Sequence, residues 1–490
     1  MKQFKKHLIT IILTLVLIFV TGCNTGNNQK LVSKLTILSV NDFHGALSES
    51  DGEFGASRLA GAMLAEAEKA EATVMISGGD MFQGTALSNY NHGKTVIDVM
   101  NKIGFDAMAL GNHEFDWGYD TIHQFVDGDK DNGEANFPYL GCNIIEKSSG
   151  VMPDGVKGYQ IIERGGLKIG IIGFMGEENE SDIAQAMIKD YEFINPLPIV
   201  KEIATDLRTN QGVNVVIVVG HQGNELNDLF ASFPHEARID AIINAHSHGT
   251  YAETVIREDG VRVPCVQAGS AGEKYASITL NINQETKEVT GGTGVIRRNT
   301  GNTKDSKVQK IINELVAETE PVFGRVIGVA RENVSRYGAA DWAATALMEY
   351  ANTDVAVINI GGIRSQAFPI NLNSEIKVSR IHEIMPFDNV LKTVDLKGSA
   401  VRALVNKSDF IMSANVTKNN STGEIYINGE LLDEDKTYSV ATIDYIFDKP
   451  ENPFLRGENI VNTGVLFRDI LIAKVEEDQT IKIPTRGEYE

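Results

Sequence analysis

The chain has 490 residues, with 45 basic and 66 acidic side chains, a formal net charge of −21 and three cysteines. This length is long for one hydrophobic core and predicts two or three domains. An apolar content of 42% and a charged content of 23% are typical of a folded globular protein and exclude a disordered or collagen-like chain. Three cysteines are too few for a disulfide scaffold, and the negative charge disfavours binding to a nucleic acid polymer.

The N-terminus has the order of a secretory signal, which is basic, then apolar, then small. Three lysines precede an apolar run over residues 8–20, which is shorter than the roughly 20 residues that span a bilayer. The run ends in Val20-Thr21-Gly22-Cys23, which resembles the bacterial lipobox. We expect a signal peptide over 1–22, a lipid on Cys23 and a polar tether over 23–33, so that the protein lies outside the cytoplasm and contacts the membrane only through its anchor. The alternative is an uncleaved signal anchor.

Between residues 34 and 299, short apolar runs alternate with helical patterns. The predicted strands are Leu35–Val40, Thr73–Ser77, Asp106–Leu110, Lys168–Phe174, Val213–Val219, Ile239–Ala245, Val261–Ala268 and Ala276–Asn283. The predicted helices are Arg58–Ala70, Thr95–Ile103 and Val200–Asn210. This alternation predicts an α/β domain over 34–299, with its sheet buried on both faces.

A polar stretch near residue 300 separates this domain from the next. Lys307–Glu320 has apolar side chains on one helical face, and Pro321 predicts its end. We therefore place a helical linker over 300–322 and a second domain over 323–490. The second domain has the predicted helices Ala340–Tyr350 and Ser399–Lys407 and the predicted strands Asp354–Ile358 and Lys436–Thr442.

Five short motifs in the first domain carry residue types that bind metals, and four of them directly follow predicted strands. They are Asp42-Phe43-His44-Gly45, Gly78-Gly79-Asp80, Gly111-Asn112-His113-Glu114, Gly220-His221 and Ala245-His246-Ser247-His248-Gly249. The carboxyl ends of strands in an α/β sheet meet at one edge, so we expect these motifs in one pocket. Oxygen and imidazole ligands without thiolate suit two divalent ions such as Zn, Mn, Fe or Co, which clamp phosphate and activate water. One histidine at a strand end is usually structural, but five ordered motifs disfavour that interpretation.

The ordered motifs resemble those of the calcineurin-like metallophosphoesterases. The string from Gly111 to Asp116 is similar to that of bacterial 5'-nucleotidase/UDP-sugar hydrolases and animal ecto-5'-nucleotidases. In the second domain, Asn359-Ile360-Gly361-Gly362-Ile363-Arg364 resembles the family's Asn-Gly-Gly-Gly-Ile-Arg loop, and Pro386-Phe387-Asp388-Asn389 resembles its Pro-Phe-Gly-Asn. The resemblance implies an α/β fold with an N-terminal four-layer β-sandwich flanked by helices and a smaller α/β C-terminal domain.

The resemblance also implies a role for each residue of the metal site. The metal ligands would be Asp42, His44 and His248 for one ion, Asn112, His221 and His246 for the other, and Asp80 between both. His113 would face the phosphate, stabilise its developing charge and help protonate the leaving group. Asp116 would keep His113 oriented and protonated. Bacterial 5'-nucleotidases commonly have Gln at the position of His248, so the metal preference of this chain could differ from theirs.

In the family that the chain resembles, the second domain binds the nucleoside between two aromatic rings. Arg364 matches an arginine that contacts the nucleotide, and Tyr445 falls where one ring is expected. Residues 447–453, with two prolines, replace a Gly-Gly-Asp-Gly sequence, so this loop must differ. The second ring is missing at residues 413–416, and Phe410 is its candidate replacement. Loss of one ring would remove about 1–3 kcal/mol of base stacking.

The sequence therefore predicts a two-metal hydrolase of nucleoside 5'-monophosphates. The alternatives are hydrolysis of 2',3'-cyclic nucleotides, UDP-sugars or dinucleotides, and Asp116 favours the 5'-nucleotidase because cyclic phosphodiesterase relatives tend to have Asn there. A non-catalytic surface binding protein is the alternative from another class. The oligomeric state stays open. Cys142 and Cys265 lie in apolar strand-like segments, which favours buried free thiols over a disulfide.

Overall fold

The computed structural model describes residues 31–49, 55–300 and 303–485. The predicted signal peptide and Cys23 lie outside these ranges. Within them, no helix is both long and apolar enough to cross a bilayer. The chain folds into an N-terminal domain built on two large sheets and a C-terminal domain built on a third.

Two mixed sheets form the centre of the N-terminal domain. The first has the spatial order Val289–Arg298, Lys274–Ile282, Lys34–Val40, Thr73–Ser77, Ala107–Ala109, Tyr139–Leu140 and Val156–Lys157. The second has the order Thr250–Ile256, Arg262–Ala268, Ala241–Ile243, Val215–His221, Leu167–Met175 and Tyr159–Arg164. The central strands of both sheets pair in parallel. Their carboxyl ends therefore lie at one edge of each sheet, where polar loop residues can meet.

The two sheets pack face to face through side chains at alternate strand positions. In the strand Val215–His221, Ile217 and Val219 point into the core between the sheets, whereas Val216 and Val218 pack beneath the outer helices. Because both faces of this strand are covered, its sequence is a continuous apolar run. The resulting layers of helix, sheet, sheet and helix confirm the predicted four-layer architecture.

Helices cover the outer faces of both sheets. The first sheet is covered by Gly55–Ala67, Lys94–Ile103 and Ser306–Phe323, and the second by Pro196–Thr209 and Asn227–Ala231. The remaining helices of this domain are short, and they are Ala86–Asn89, Asn112–Phe115, Tyr119–Gln124, Glu177–Asp182, Gln185–Ile188 and His235–Ala237. A two-stranded ribbon joins Ile144–Glu146 to Tyr191–Phe193.

The helix predicted as a linker packs into the N-terminal domain. Asp305 caps its first turn by accepting hydrogen bonds from two backbone N–H groups, and its apolar face joins the core beneath the first sheet. The predicted end at Pro321 is wrong, because the helix continues to Phe323. Proline lacks an N–H donor, but its fixed φ is helical, so the last turn persists until the Gly324 cap.

The C-terminal domain is built on a five-stranded sheet. Its spatial order is Phe410–Met412, Val355–Asn359, Thr437–Ile443, Val390–Lys397 and Glu458–Leu466. The helices around it are Arg336–Ala351, Val378–Ile384, Gly398–Val405, Asp444–Phe447 and Phe467–Asp478, with short turns at Ile360–Gly362, Ser365–Ala367 and Phe454–Arg456. Two small sheets complete the domain, and they are Val326–Val329 with Glu375–Lys377, and Val416–Lys418 with Ile425–Ile427 and Glu430–Leu431. This domain also has the mixed α/β character that the sequence predicts.

Cys142 and Cys265 are free thiols with 4% and 0% of their surface exposed. Both pack in the apolar layer between the second sheet and its helices. Burial raises the pKa of each thiol to about 12, so the reactive thiolate is scarce at neutral pH. The structure agrees with the prediction that these cysteines are unpaired.

We predict that both thiols resist modification until the chain unfolds. A form that begins after Cys23 should give almost no reaction with 5,5'-dithiobis(2-nitrobenzoate) in native buffer, because the thiols are buried and protonated. The same sample in guanidinium chloride should release two equivalents of the coloured product. Native reaction at the unfolded rate, or no reaction after unfolding, would contradict this prediction.

Candidate active site

The carboxyl ends of the central strands deliver polar side chains to one place at the edge of the two sheets. Asp42 follows Lys34–Val40, and His221 ends Val215–His221. The structure brings together all of the predicted metal ligands, which are Asp42, His44, Asp80, Asn112, His221, His246 and His248. Residues that are up to about 200 positions apart therefore form one cluster, as the strand-end argument predicts.

The ligand atoms form two neighbouring groups. In the first group, Nε2 of His44 lies 3.0 Å from Nε2 of His248, and that atom of His248 lies 3.6 Å from Oδ1 of Asp42. These three side chains place their ligand atoms within 4.8 Å of one another. This is the set that the resemblance assigns to one ion.

The second group is centred on His221. Its Nε2 lies 3.1 Å from Oδ2 of Asp80 and 3.1 Å from Oδ1 of Asn112. The same oxygen of Asn112 lies 3.1 Å from Nδ1 of His246. Asp182, which was not predicted from the sequence, adds a carboxylate 3.4 Å from Nε2 of His246.

The tautomers of two histidines fit a metal site. Nδ1 of His44 lies 3.0 Å from the backbone oxygen of Gln83, and Nδ1 of His221 lies 2.8 Å from that of Gly78. A carbonyl oxygen only accepts hydrogen bonds, so Nδ1 carries a proton and Nε2 is the ring nitrogen left for a metal. In His221 this nitrogen faces the oxygens of Asp80 and Asn112. Converging carboxylate, amide and imidazole atoms need positive charge between them, supplied by protons or by a metal ion, so the residues fit a divalent metal.

The buried ionisable groups of the cluster shift one another's pKa. Burial raises the pKa of Asp42 to about 6. Burial also acts to raise the pKa of Asp80, but His221 and His113 outweigh it and hold this pKa well below its ordinary value. For His221 burial acts to lower the pKa, and Asp80 raises it overall to about 9. In the metal-free protein, bound protons thus supply the positive charge at this site, and a metal ion would have to displace them.

The backbone is strained where it presents these side chains. Asp42, His44, Asp80, His246 and His248 all have φ between 50° and 69°, a region that residues other than glycine rarely adopt. Each such residue costs of the order of 1–3 kcal/mol, and such strain is concentrated at functional sites. The strain therefore supports a functional role for this cluster.

Gly111 and Glu114 brace the loops beneath the cluster. A Cβ atom on Gly111 would lie 2.3 Å from Oδ1 of Asp80, so only glycine permits this approach. The Glu114 carboxylate, 1% exposed, accepts the backbone N–H groups of Asp80, Met81 and Gly111 at 2.7–2.8 Å. Glu114 had no role predicted from the sequence, although it belongs to the most informative of the motifs.

His113 lies beside the cluster and is oriented by Asp116. Nδ1 of His113 is 2.8 Å from Oδ2 of Asp116, and the backbone N–H of His113 donates to Oδ1 of Asp80 at 2.9 Å. Burial acts to lower the pKa of His113, but Asp116 and Asp80 raise it above the ordinary value. The pair therefore holds a largely buried, polarised imidazole next to the metal ligands.

A cavity of about 270 Å³ lies between the two domains and includes this site. Its walls are His113 and metal ligands on one side and Arg364, Phe387 and Tyr445 on the other. The Phe387 ring stacks on His113 with centroids 5.7 Å apart, and Cζ of Arg364 lies 5.7 Å from the centroid of the same ring. The Arg364 guanidinium lines the cavity from the C-terminal wall, where it can bind an anion that enters the cavity.

The aromatic lining differs from the prediction. Tyr445 does line the cavity, but Phe410, the suggested second ring, does not. Phe410 lies on an edge strand of the C-terminal sheet, 5.1 Å from the Lys407 ammonium. Trp117 and Phe387 line the cavity instead. The resemblance places both rings in the C-terminal domain, whereas Trp117 belongs to the N-terminal domain and was not predicted.

Asp388 bridges the domains at the mouth of this cavity. Its carboxylate accepts a hydrogen bond from Nε1 of Trp117 at 3.3 Å and pairs with the Arg468 guanidinium at 2.5 Å. Nearby, Nδ2 of Asn89 donates to the backbone oxygen of Pro386 at 2.7 Å. The family sequence that this segment resembles has glycine at the position of Asp388, and glycine has no side chain that could form this bridge.

Two family models match the chain. The model for calcineurin-like phosphoesterases matches residues 35–250, and the model for the 5'-nucleotidase C-terminal domain matches residues 315–455. Both matched regions contribute side chains to the cavity described above.

The proteins that are similar to this chain include 5'-nucleotidases and an endonuclease. A 5'-nucleotidase of Vibrio vulnificus strain CMCP6 is 26% identical over 547 residues, which is 96% of this chain and 95% of that protein. The endonuclease YhcR of Bacillus subtilis strain 168 is 27% identical over 408 residues, which is 76% of this chain but 32% of that protein. A crystal structure of a 5'-nucleotidase precursor from Thermus thermophilus has a TM-score of 0.77 at 21% identity and covers 92% of this chain and 98% of that one.

We predict that Mn²⁺ or Zn²⁺ raises the melting temperature of the metal-free protein. A ligand that binds only the folded state adds about 2.7 kcal/mol at a free concentration of 100 times its Kd. His221→Ala removes a ligand at the centre of the second group and should reduce both the shift and the bound metal. His235→Ala, an exposed histidine outside the cluster, is the matched control and should behave as wild type. Equal shifts in all three proteins would place the metal elsewhere.

Proposed function

Because the chain belongs to the calcineurin-like phosphoesterases that carry a 5'-nucleotidase C-terminal domain, and is thus a metal-dependent phosphoester hydrolase, we propose that it releases phosphate from nucleoside 5'-monophosphates. The observation that carries the proposal is the shared cavity. One wall offers metal ligands and His113, and the other offers the guanidinium of Arg364 and the ring of Tyr445. A nucleoside 5'-monophosphate, which has a charged phosphate at one end and a flat, neutral base at the other, matches these two walls.

The chemistry divides between bound metals and the residues of this chain. Two divalent ions in the two ligand groups would supply a water of lowered pKa and neutralise phosphoryl charge. Arg364 binds a phosphate oxygen from the opposite wall. With Nδ1 of His113 engaged by Asp116, Nε2 is free to stabilise a phosphoryl oxygen and to protonate the leaving 5'-oxygen.

Aromatic side chains on both domains favour a nucleoside as the leaving group of the substrate. Tyr445, Trp117 and Phe387 line the same cavity. The Lys449 ammonium lies 4.2 Å from the centroid of the Tyr445 ring and 3.1 Å from its hydroxyl oxygen, which restricts the orientation of this ring. Stacking of a base is worth about 1–3 kcal/mol per ring, so these rings would contribute to KM more than to kcat.

We predict phosphate release from AMP and UMP by the form that begins after Cys23, with Mn²⁺ or Zn²⁺. His113→Ala should lower kcat by about 10²–10⁴, the range of general acid–base catalysis, and Asp116→Asn should lower kcat less. Bound metal should be unchanged in both variants. His123→Ala, a histidine away from the cavity, is the control and should keep wild-type activity.

The same assay tests the alternatives. The further substrates are 2',3'-cyclic AMP, UDP-glucose and bis-p-nitrophenyl phosphate, each compared with AMP by kcat/KM. A higher value for one of them would keep the metal chemistry and replace the proposed substrate. Metal binding without hydrolysis of any substrate would favour a surface binding protein.

The proposed location rests on the N-terminal sequence. The apolar run before Val20-Thr21-Gly22-Cys23 supports export, cleavage before Cys23 and lipid attachment to this cysteine. Extracellular nucleotides would then meet the enzyme at the membrane surface.

We predict that the full chain, expressed in a bacterium fed an alkyne fatty acid, carries the label and sediments with membranes. Cys23→Ser should lose both the label and the membrane association, because serine provides no thiol for the lipid. A membrane-bound, unlabelled wild type would indicate the uncleaved signal anchor instead.

A further inference from the structure

The side chain of Gln83 is a buried amide at the wall of the active-site cavity. It is 1% exposed and lines the cavity together with Asp80, His113 and His248. Its backbone oxygen faces Nδ1 of His44 at 3.0 Å, so its position is fixed relative to the metal ligands. Neither the predicted metal set nor the proposed catalytic pair includes this residue.

Both polar atoms of the Gln83 side chain lack a hydrogen-bond partner among the described residues. A buried amide that serves the fold is normally paired, and Asn143 shows the difference. Its Nδ2 donates to two backbone oxygens at 2.7 and 2.8 Å, and its Oδ1 accepts a backbone N–H at 3.0 Å. An unpaired buried amide destabilises the fold, so a ligand is the reasonable partner for Gln83.

The surroundings indicate which ligand this amide lacks. Nearby acceptors are occupied, because the oxygens of Asp80 face the N–H of His113 and Nε2 of His221. A phosphate group brings several acceptor oxygens into the cavity, and a neutral amide can donate to them without repulsion from bound cations. We propose that Nε2 of Gln83 donates a hydrogen bond to a phosphoryl oxygen of the bound substrate or product. This inference rests on the proposed phosphatase activity and extends it.

A role in binding predicts that loss of the Gln83 amide lowers phosphate affinity without lowering stability. A structural role predicts that stability falls as well. Gln83→Leu has nearly the same size and removes the unpaired polar atoms, so the metal-free variant should be at least as stable as wild type. The same variant should bind inorganic phosphate about tenfold more weakly when loaded with Mn²⁺, as expected for a lost hydrogen bond to a charged group. Gln83→Glu should weaken phosphate binding further, because its carboxylate repels the anion.

The experiment measures melting temperature without metal, bound Mn²⁺ by mass spectrometry, and phosphate affinity by calorimetry. Thr73→Val is the matched control, because Oγ1 of Thr73 is also buried without a partner but is not at the cavity. It should not alter phosphate affinity. Unchanged phosphate binding by Gln83→Leu, or a lower melting temperature, would overturn the proposal. Loss of Mn²⁺ would also overturn it, since Oε1 would then be a metal ligand.

The probe also separates this inference from the proposed function. Inorganic phosphate is the product of every phosphate monoester, so its binding does not depend on the substrate's base or sugar. If wild type binds phosphate through Gln83 but does not hydrolyse AMP or UMP, the proposed substrate fails and the role of Gln83 stands. If AMP is hydrolysed and Gln83→Leu binds phosphate normally, the proposed substrate stands and the role of Gln83 fails.

Discussion

The site depends on polar side-chain atoms that converge at the carboxyl ends of the parallel strands. Carboxylate, amide and imidazole atoms approach within 3.0–3.6 Å in a largely buried cluster, an arrangement that repels itself unless protons or metal ions lie between the atoms. The protein holds it with loops at positive φ and with Glu114, whose carboxylate fixes three backbone N–H groups. The two packed sheets provide the rigid base that such strain requires.

The C-terminal domain completes this site. It contributes Arg364 and Phe387, and the latter covers the His113 ring. Arg468, 7% exposed, holds the segment that carries Phe387 by donating to the backbone oxygens of Pro386 and Phe387 at 3.0 and 3.2 Å. The metal ligands thus belong to one domain, whereas the walls of the cavity come from both.

The sequence predicts the parts of this protein that follow from local patterns. Buried strands such as Val215–His221 are visible as apolar runs, and the ligands are visible because they follow such runs. The edge strand Thr250–Ile256 has largely exposed side chains and therefore no apolar signal. The cavity wall was harder to predict, since Trp117 and Gln83 acquire their places only when distant loops meet. The prediction that Phe410 lines the cavity is wrong, because a match of positions along the chain does not determine where a side chain points in the folded protein.

The hydrogen bond to Asp388 places one of the two tryptophans at the boundary between the domains. The chain has two tryptophans, and one of them, Trp342, is 2% exposed within the C-terminal core. The other, Trp117, lies against the His92 ring at 5.0 Å and donates to Asp388 across the domain boundary. Separation of the domains would change the surroundings of Trp117 and leave those of Trp342 intact. The protein therefore contains its own fluorescent reporter of contact between the two domains and needs no attached dye.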